Sequence, residues 1–354
     1  MHDLGFRPQR IFITGGCGFI GSNLVRFLLA QDAALQVTNF DLLTYAGNPA
    51  NLADLPLDAK ARYRFIQGDL RDAGALQTAL TQARPEAVIH LAAESHVDRS
   101  IGGPEAFVTT NVLGTQHLLE ALRALWTDRR GKRFQHVSTD EVYGSLGPTG
   151  RFTEHSPYNP SSPYAATKAA ADHLVRAYHH TYGLPVVLTN ASNNYGPRQF
   201  PEKLIPLLIT RGLTGGALPI YGEGKNVRDW LHVDDHCAAL WAVLTRGGVG
   251  ETYNIGGGCE LPNIEIAQLI AELIDASGWN TPVGAKTADR IEFVADRPGH
   301  DFRYALDCGK IHRELAWHPQ FDFRAGLTAT VAWYAAHRTW WEPLVSVPRR
   351  QGPS

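Results

Sequence analysis

Cysteine and methionine are scarce in this sequence, which has 4 Cys and 1 Met among 354 residues. The cysteines lie far apart and form no CxxC pair and no Cys/His cluster with the spacing of metal ligands; they are Cys17, Cys237, Cys259 and Cys308. We therefore expect no metal site. A reducing, cytoplasmic setting fits this use of cysteine best.

An excess of charge of one sign is absent as well. The 33 Lys and Arg residues nearly balance the 35 Asp and Glu residues, and the formal net charge is -2. This balance offers no broad electrostatic surface for nucleic acid or for an anionic membrane. No apolar run is long enough to span a bilayer, and the opening "MHDLGFRPQR" lacks the apolar core of a secretory signal. We expect neither nucleic acid nor a membrane as a partner.

What the sequence does have is a regular alternation of short apolar runs and amphipathic segments of helical length. The strand-like runs are at 10–14, 35–41, 62–69, 86–93 and 133–139, and the helical segments are at 19–31, 72–83 and 105–126. This alternation predicts an α/β fold with a doubly wound (Rossmann) parallel sheet. Such sheets bind ligands at the carboxyl ends of their strands.

Beyond about residue 190, glycine and proline interrupt the pattern, and short helices are predicted near 233–246, 262–276 and 323–338. The length suggests about two domains. We predict a Rossmann domain at 1–190, to which 240–262 returns through the strand-like "ETYNIGGG" at 251–258. Residues 191–239 and 263–354 are predicted to form a smaller, loop-rich α/β domain that binds the substrate.

A glycine-rich turn follows the first strand in "IFITGGCGFIGSNLV", where Gly15, Gly18 and Gly21 form a GxxGxxG pattern that opens a helix. Such a turn lets the backbone approach a pyrophosphate at the helix N-terminus, although it also occurs as plain packing. Asp41 lies 20 residues after Gly21 at the end of the second strand, where a carboxylate binds an adenosine ribose. No Arg follows it in "DLLTYAGN", which favours NAD over NADP.

A tyrosine and a lysine lie four residues apart in "SSPYAATKAAADHLV" and therefore on one helical face. We predict that the ammonium of Lys168 lowers the pKa of Tyr164 and makes the phenol a usable base. Alone, this spacing is also typical of a surface aromatic beside a solvated lysine. Thr139, at a strand end about 25 residues earlier, adds a hydroxyl that the pair would use.

Two adjacent carboxylates, Asp140 and Glu141, follow the same strand end in "STDEVYG". They either cap a turn there or serve a second proton transfer, one as acid and the other as base. Their repulsion and partial burial should raise the pKa of one member, so that the pair titrates as a coupled unit.

The glycine turn, Thr139, Tyr164 and Lys168 together resemble the extended short-chain dehydrogenase/reductase superfamily. A denser set of segments resembles the family of dTDP-glucose 4,6-dehydratases across some 300 residues. These segments are "TGGCGFIGSN", "DLLTYAGN", "HLAAESHVDRSI", "TNVLGT", "STDEVYG", "SPYAATKAAADHLV", "SNNYGPRQFPEKLIP", "LPIYGEGKNVRDWLHVDDH", "NIGGG" and "DRPGHDFRYA".

The resemblance implies a cytoplasmic hydro-lyase that oxidises C4 of the hexose with NAD, eliminates water across C5 and C6, and returns the hydride to C6. The product would be dTDP-4-keto-6-deoxyglucose, made for deoxysugar biosynthesis. Tyr164 would remove the hydroxyl proton, Lys168 would also hold the nicotinamide ribose, and Thr139 would orient the sugar. Glu141 would be the base at C5 and Asp140 the acid toward O6. We expect NAD to remain bound through the cycle.

The resemblance also implies the binding residues. Expected cofactor contacts are Gly15, Gly18, Phe19, Ile20, Gly21, Asp41, Thr44, Asp69, Leu70, Leu91, Ala92, Ala93, Ser95, Thr110, Tyr164, Lys168 and Asn194. Expected substrate contacts are Ser95, Thr139, Asn193, Lys203, Leu204, Pro219, Ile220, Tyr221, Arg228, Asn263, Asp296, Arg297, Pro298, Gly299 and His300. A homodimer is expected through helices at 105–126 and 161–183. Leu42 and Arg198 depart from the family pattern, in which we expect a lysine and an aromatic residue.

Three alternatives remain at this stage. A UDP-hexose 4-epimerase would share the turn, the tyrosine and the lysine, but it has no use for carboxylates at 140 and 141. A dehydratase for a UDP-sugar or CDP-sugar would need the same catalytic residues, and a non-catalytic dinucleotide sensor would keep only the fold. The downstream pathway, to rhamnose or to another deoxysugar, is left open.

Overall fold

The computed structural model describes residues 5–279 and 286–346. The strands within these residues are Arg10–Thr14 (β1), Gln36–Asp41 (β2), Tyr63–Gln67 (β3), Ala87–His90 (β4), Arg133–Thr139 (β5), Val186–Ala191 (β6), Asn193–Tyr195 (β7), Leu218–Tyr221 (β8), Val227–His232 (β9), Thr252–Ile255 (β10), Glu260–Pro262 (β11) and Ile291–Val294 (β12).

The α-helices are Phe19–Gln31 (α1), Leu57–Ala61 (α2), Ala73–Ala83 (α3), Val97–Gly102 (α4), Pro104–Phe107 (α5), Thr115–Leu125 (α6), Pro163–Tyr182 (α7), Leu204–Thr214 (α8), Val233–Arg246 (α9), Asn263–Ser277 (α10), Gly309–Leu315 (α11), Phe323–Ala336 (α12) and Arg338–Ser346 (α13). Short 3₁₀-helices occupy Pro49–Leu52, Asp140–Tyr143 and Thr287–Arg290, and a π-helix occupies Val108–Gly114. None of the helices in the described ranges is long and apolar enough to cross a membrane.

Seven parallel strands form the main sheet in the order β10-β6-β5-β4-β1-β2-β3. The strand order reverses beside β1, which pairs with β2 on one side and with β4 on the other. Ligands of doubly wound sheets bind in the crevice at such a reversal. The α/β fold with a Rossmann sheet is therefore confirmed.

Helices cover both faces of this sheet because their apolar stripes need burial. On one face, Leu24 and Leu28 of α1 pack with Leu240 of α9 in a buried cluster. On the other face, Leu76 of α3 and Leu118 of α6 belong to a second buried cluster. The two layers hold the strand ends in fixed positions.

One predicted helix is not continuous in the structure. The segment predicted as a single helix at 105–126 is α5, the π-helix and α6 in succession. Asn111 lies in the π-helix, and its side-chain amide donates hydrogen bonds to Glu94 O (3.0 Å) and to Thr167 Oγ1 (3.0 Å). Gly114 accommodates the close approach of Leu70, since a Cβ there would lie 2.9 Å from Leu70 Cβ. Such π turns often occur at functional sites.

The remaining chain forms a three-stranded sheet (β11-β9-β7) and a parallel pair (β12-β8). Helices α8, α10 and α12 pack beside them in a third apolar cluster that includes Ile209, Ile270 and Leu327. Between β9 and β11, the chain contributes β10 to the edge of the seven-stranded sheet, next to β6. Parts of the two predicted domains, at 1–4, 280–285 and 347–354, lie outside the described residues.

Candidate active site

A cavity of about 400 Å³ opens at the carboxyl ends of the parallel strands. It gathers every predicted cofactor residue, every predicted catalytic residue and part of the predicted substrate set. The predicted residues that line it are Gly15, Gly18, Phe19, Ile20, Gly21, Asp41, Thr44, Asp69, Leu70, Leu91, Ala92, Ala93, Ser95, Thr110, Thr139, Asp140, Glu141, Tyr164, Lys168, Asn193, Asn194 and Lys203.

The glycine-rich turn forms one end of the cavity. Gly15 has a φ of +77°, and a Cβ on it would lie 2.7 Å from the Ala92 nitrogen. A side chain therefore fits neither the backbone conformation nor the space at this position. Helix α1 begins directly after Gly18, and no side chain in the described part of the chain caps it. Its first N–H groups thus stay available at the cavity for an anion.

Asp41 is anchored beside this turn. Its carboxylate accepts hydrogen bonds from Cys17 N (2.9 Å) and Leu43 N (2.8 Å). Burial raises the pKa of Asp41, and these two hydrogen bonds oppose that rise. Each oxygen of an ionised carboxylate has two acceptor sites, so Asp41 can still accept from hydroxyl groups of a ligand.

Thr139, Asp140 and Glu141 join β5 to a 3₁₀-helix. The Thr139 hydroxyl caps this helix by accepting from Glu141 N (3.3 Å), and it donates to Asp140 Oδ1 (3.3 Å). The interpretation that the acidic pair caps this turn was therefore wrong, because Thr139 is the cap and the two carboxylates belong to the first turn of the helix, where they line the cavity.

The two carboxylates differ in environment. Asp140 is only 2% exposed, and no hydrogen-bond partner for its Oδ2 atom lies within the described residues. Burial raises the pKa of Asp140 well above its ordinary value, and the charge of Glu141 raises it further. Burial also raises the pKa of Glu141, but the charges of Arg297, Arg228 and Lys203 oppose that rise. Asp140 is accordingly the member that favours the protonated form.

The predicted effect of Lys168 on Tyr164 was wrong for this structure. Burial raises the pKa of Tyr164 above its ordinary value, and the charge of Glu141 raises it further. The interaction with Thr139 lowers it, but does not offset these two effects. Lys168 donates to the Val137 carbonyl (2.8 Å). Burial lowers the pKa of Lys168 to about 8, against the opposing charge of Asp172.

Asp172 was missed in the sequence although it follows Lys168 by one more helical turn. Its carboxylate is fully buried and accepts from Ser138 Oγ and Tyr158 Oη, both at 2.9 Å. His136 Nε2 lies 3.2 Å from Asp172 Oδ1, and burial lowers the pKa of His136 to about 4, so the imidazole is neutral. Burial raises the pKa of Asp172, but His136 and Lys168 bring it below its ordinary value. The spacing of Tyr164, Lys168 and Asp172 was the available signal.

Tyr45 and Glu202 were also missed, and they join two loops across the cavity wall. Tyr45 Oη donates to Glu202 Oε1 (2.8 Å), and the Arg99 guanidinium lies 3.7 Å above the Tyr45 ring. Glu202 directly precedes Lys203, whose ammonium donates to Ser95 O (3.1 Å). These contacts fix the orientation of the loop that carries Lys203.

The other predicted substrate residues, although described, do not line this cavity; they are Leu204, Pro219, Ile220, Tyr221, Arg228, Asn263, Asp296, Arg297, Pro298, Gly299 and His300. Two of them contact Asp98, which is also outside the lining. Tyr221 Oη donates to Asp98 Oδ2 (3.1 Å), and Arg297 lies 3.5 Å from the other oxygen of Asp98. The charges of Arg228 and Arg297 act on Glu141. Two cationic residues outside the cavity lining therefore act on the charge of Glu141.

The two departures from the family pattern occupy different places. Leu42 lines the cavity. Arg198 does not: its guanidinium lies 3.5 Å from the Asp54 carboxylate and 5.5 Å from the centroid of the Trp333 ring. Arg198 therefore ties its loop to surrounding structure instead of facing the cavity.

Comparison with known proteins agrees with this geometry. Residues 12–330 match the family model described as GDP-mannose 4,6 dehydratase. A dTDP-glucose 4,6-dehydratase from Xanthomonas campestris pv. campestris (strain B100) is 56% identical over 334 residues, which cover 93% of this chain and 93% of that protein. The one from Neisseria meningitidis serogroup B (strain ATCC BAA-335 / MC58) is 52% identical over 347 residues, which cover 96% of each chain.

A solved structure matches over nearly the same length. The crystal structure of DesIV, a dTDP-glucose 4,6-dehydratase from Streptomyces venezuelae with NAD and TYD bound, superimposes with a TM-score of 0.86 at 52% identity. The match covers 95% of this chain and 99% of that chain. By sequence, by structure and by the residues gathered in its cavity, the chain belongs to the dTDP-glucose 4,6-dehydratases of the extended short-chain dehydrogenase/reductase superfamily.

Proposed function

We propose that this chain converts dTDP-glucose to dTDP-4-keto-6-deoxyglucose with NAD as its resident cofactor. One observation carries the proposal: the Asp140–Glu141 pair lines the same cavity as Tyr164 and Lys168. A 4-epimerase needs the tyrosine and the lysine, but only a dehydratase also needs an acid and a base for the loss of water.

The residues at the glycine-rich end of the cavity fit NAD. The free N-terminus of α1 suits a pyrophosphate, Gly15 leaves the necessary space, and Asp41 suits a ribose with free hydroxyls. Bound NAD would accept a hydride from C4 of the sugar and return it to C6 later in the same cycle.

The first proton transfer belongs to Tyr164. We assign the removal of the proton from the C4 hydroxyl to the phenol oxygen of Tyr164, whose pKa burial and the charge of Glu141 raise and the interaction with Thr139 lowers. We assign Lys168, one helical turn away, to the nicotinamide ribose that it would hold. The resulting 4-ketone acidifies the hydrogen on C5.

The second and third transfers belong to the acidic pair. Glu141, whose charge three cationic residues support, takes the proton from C5. Asp140, whose pKa burial raises, donates its proton to the C6 hydroxyl so that it leaves as water. Glu141 then returns its proton to C5.

The nucleoside diphosphate is assigned to the side of the cavity that carries Lys203, Arg228 and Arg297. A diphosphate taken into a cleft needs such donors, because the protein as a whole has almost no net charge. We also propose that the remaining predicted substrate residues contact the bound nucleotide sugar. The division between a Rossmann domain at 1–190 and a smaller substrate-binding domain is likewise proposed. Finally, we propose a homodimer that forms through helices that include α6 and α7. A cytoplasmic location stays a prediction.

The test is direct. Purified protein is incubated with dTDP-glucose without added NAD, and the alkali-induced absorbance of a 4-keto sugar is followed. We expect product, NAD released on denaturation, and faster turnover than with UDP-glucose or CDP-glucose. A galactose-configured product would show an epimerase instead, and the absence of any sugar product would show a non-catalytic protein.

Asp172 supplies a prediction for the pH dependence. Because its negative charge opposes the fall in the pKa of Lys168, the substitution Asp172→Asn should lower that pKa below its present value of about 8. Because Lys168 loses its proton as pH rises, kcat/KM of the unaltered enzyme should fall above about pH 8. In Asp172→Asn, this alkaline limb of the pH profile should move to lower pH. Asp172→Glu keeps the charge and is the control. An unchanged limb in Asp172→Asn would show that Lys168 does not set it.

A further inference from the structure

A histidine that takes no part in the proposed proton transfers lines the cavity. His236 lies in the first turn of α9, and none of its surface is exposed. Its Nδ1 atom lies 2.9 Å from Oδ1 of Asn194, which also lines the cavity. Asn194 is one of the predicted cofactor contacts, so His236 contacts a predicted cofactor residue directly.

The hydrogen bonds of the Asn194 amide determine where the proton of the imidazole lies. Asn194 Nδ2 donates to Ser192 O (2.9 Å), so Asn194 Oδ1 is the atom that faces His236 and accepts from it. His236 Nδ1 therefore carries the proton. Burial lowers the pKa of His236 to about 3, so the imidazole is neutral and its Nε2 atom carries no proton. No hydrogen-bond partner for Nε2 lies within the described residues.

This pair lies at the catalytic end of the cavity. Asn194 belongs to β7, which begins two residues after β6 ends at Ala191. Ala191 is paired with Thr139 at the end of β5, where the acidic pair follows. Asp41 ends β2, which is three strands away from β5 in the sheet. Because the nicotinamide ring exchanges hydride with the sugar, the nicotinamide end of NAD belongs beside β5 and β6, and the adenosine end belongs beside Asp41.

The Asn194 amide matches the carboxamide of nicotinamide in its hydrogen-bonding groups. A primary amide has two N–H donors and two acceptor sites. The hydrogen bonds with Ser192 and His236 use one of each kind, so one donor and one acceptor site remain for a ligand. A carboxamide offers the same two kinds of group. Since Ser192 and His236 fix which side of the Asn194 amide donates and which accepts, they favour one orientation of the ligand amide.

We propose that His236 is a positioning residue that orients the Asn194 amide toward the carboxamide of NAD and so fixes the orientation of the nicotinamide ring; the proposal rests on the proposed function. The carboxamide is attached to one edge of the ring. Its orientation therefore decides which face of the ring is turned toward the sugar for hydride transfer. His236 acts through Asn194, and it neither gains nor loses a proton during the reaction.

ADP-ribose, which is NAD without nicotinamide, isolates the contribution of this end of the cofactor. Holoenzyme that carries radiolabelled NAD is equilibrated with increasing concentrations of ADP-ribose, and the label that stays bound is measured. The result is the ratio of the Kd for ADP-ribose to the Kd for NAD. In His236→Phe, which keeps a flat ring without a donor, this ratio should fall about tenfold, as expected when the partner of a buried acceptor is lost.

His236→Asn is the matched control, because its amide nitrogen can take the place of Nδ1 and donate to Asn194. Its ratio should stay within about threefold of that of the unaltered enzyme. A histidine that only packs in the core would act differently, because its loss would weaken both ligands in the same proportion. An unchanged ratio in His236→Phe would therefore overturn the proposal.

The path through Asn194 is tested by a double variant. Asn194→Ala should lower the ratio at least as much as His236→Phe does, and the combination of the two should cause no further fall, because His236 acts only through Asn194. A further fall would show that His236 acts on the cofactor by another route, which also overturns the proposal.

One measurement needs no variant. A crystal structure of the unaltered holoenzyme should show the carboxamide in hydrogen-bond contact with the Asn194 amide, while Asn194 still accepts from His236. A carboxamide bonded to other groups would overturn the proposal even if His236→Phe failed to fold. Failure of the proposed function is a separate result, because dTDP-glucose would then give no 4-keto sugar even with NAD bound.

Discussion

Substitution of Glu141 by glutamine is expected to lower the steady-state turnover of dTDP-glucose by about 10²- to 10⁴-fold, the usual range for loss of a general base. The amide keeps the size of the side chain but cannot take the proton from C5. Oxidation at C4 needs Tyr164 and not Glu141, so a 4-keto sugar that still carries its C6 hydroxyl should accumulate on the protein. Rapid quench followed by mass analysis of the sugar detects it.

The control for this change is Glu272→Gln. Glu272 is exposed, forms an ion pair with Arg324 and lies outside the cavity lining, so its substitution should leave turnover unchanged. Normal turnover by Glu141→Gln would show that another group takes the C5 proton. Loss of the 4-keto sugar as well as of product would place Glu141 in the first step.

Substitution of Tyr164 by phenylalanine is expected to block the earlier step. Removal of the phenol should lower the rate of 4-keto sugar formation in the first turnover by about 10²- to 10⁴-fold, because the C4 hydroxyl then loses the base that we assign to it. Unlike Glu141→Gln, this variant should accumulate no oxidised sugar. The same quench experiment distinguishes the two, and acid extraction of the protein measures the NAD that it retains.

Tyr253→Phe is the matched control for the loss of a phenol. Tyr253 is buried on β10, outside the cavity, and its hydroxyl donates to Glu314 Oε2 (2.9 Å) and accepts from Gly248 N (3.0 Å). Its loss should lower stability by about 1 kcal/mol and leave the rate of C4 oxidation unchanged. Oxidation by Tyr164→Phe at the normal rate would transfer the role of base to another residue.

The sequence was informative wherever chemistry depends on local spacing. The interval between Gly21 and Asp41 spans the rest of α1 and the whole of β2, and the interval between Tyr164 and Lys168 is one helical turn. Both intervals correctly predicted that these residues meet at one edge of the sheet. The acidic pair was recognised for the same reason, because it directly follows a strand.

What the sequence could not supply depends on contacts between distant segments. Tyr45 and Glu202 are separated by 157 positions, so no local pattern joins them. The raised pKa of Tyr164 has the same origin, since it follows from burial and from the charge of Glu141 on another element. The helix at 105–126 is interrupted where Asn111 forms hydrogen bonds with Glu94 and Thr167, which lie on other segments.

The late position of β10 in the chain has a consequence for biosynthesis. The strand that covers the free edge of β6 is at Thr252–Ile255, more than sixty residues after β6 ends at Ala191. During translation, one edge of β6 therefore stays unpaired until the ribosome has synthesised the intervening segment. Unpaired strand edges of this kind can pair with another chain and lead to aggregation. A truncated gene that stops before codon 252 should consequently yield aggregated protein, even though it encodes every residue of the glycine-rich turn and both carboxylates.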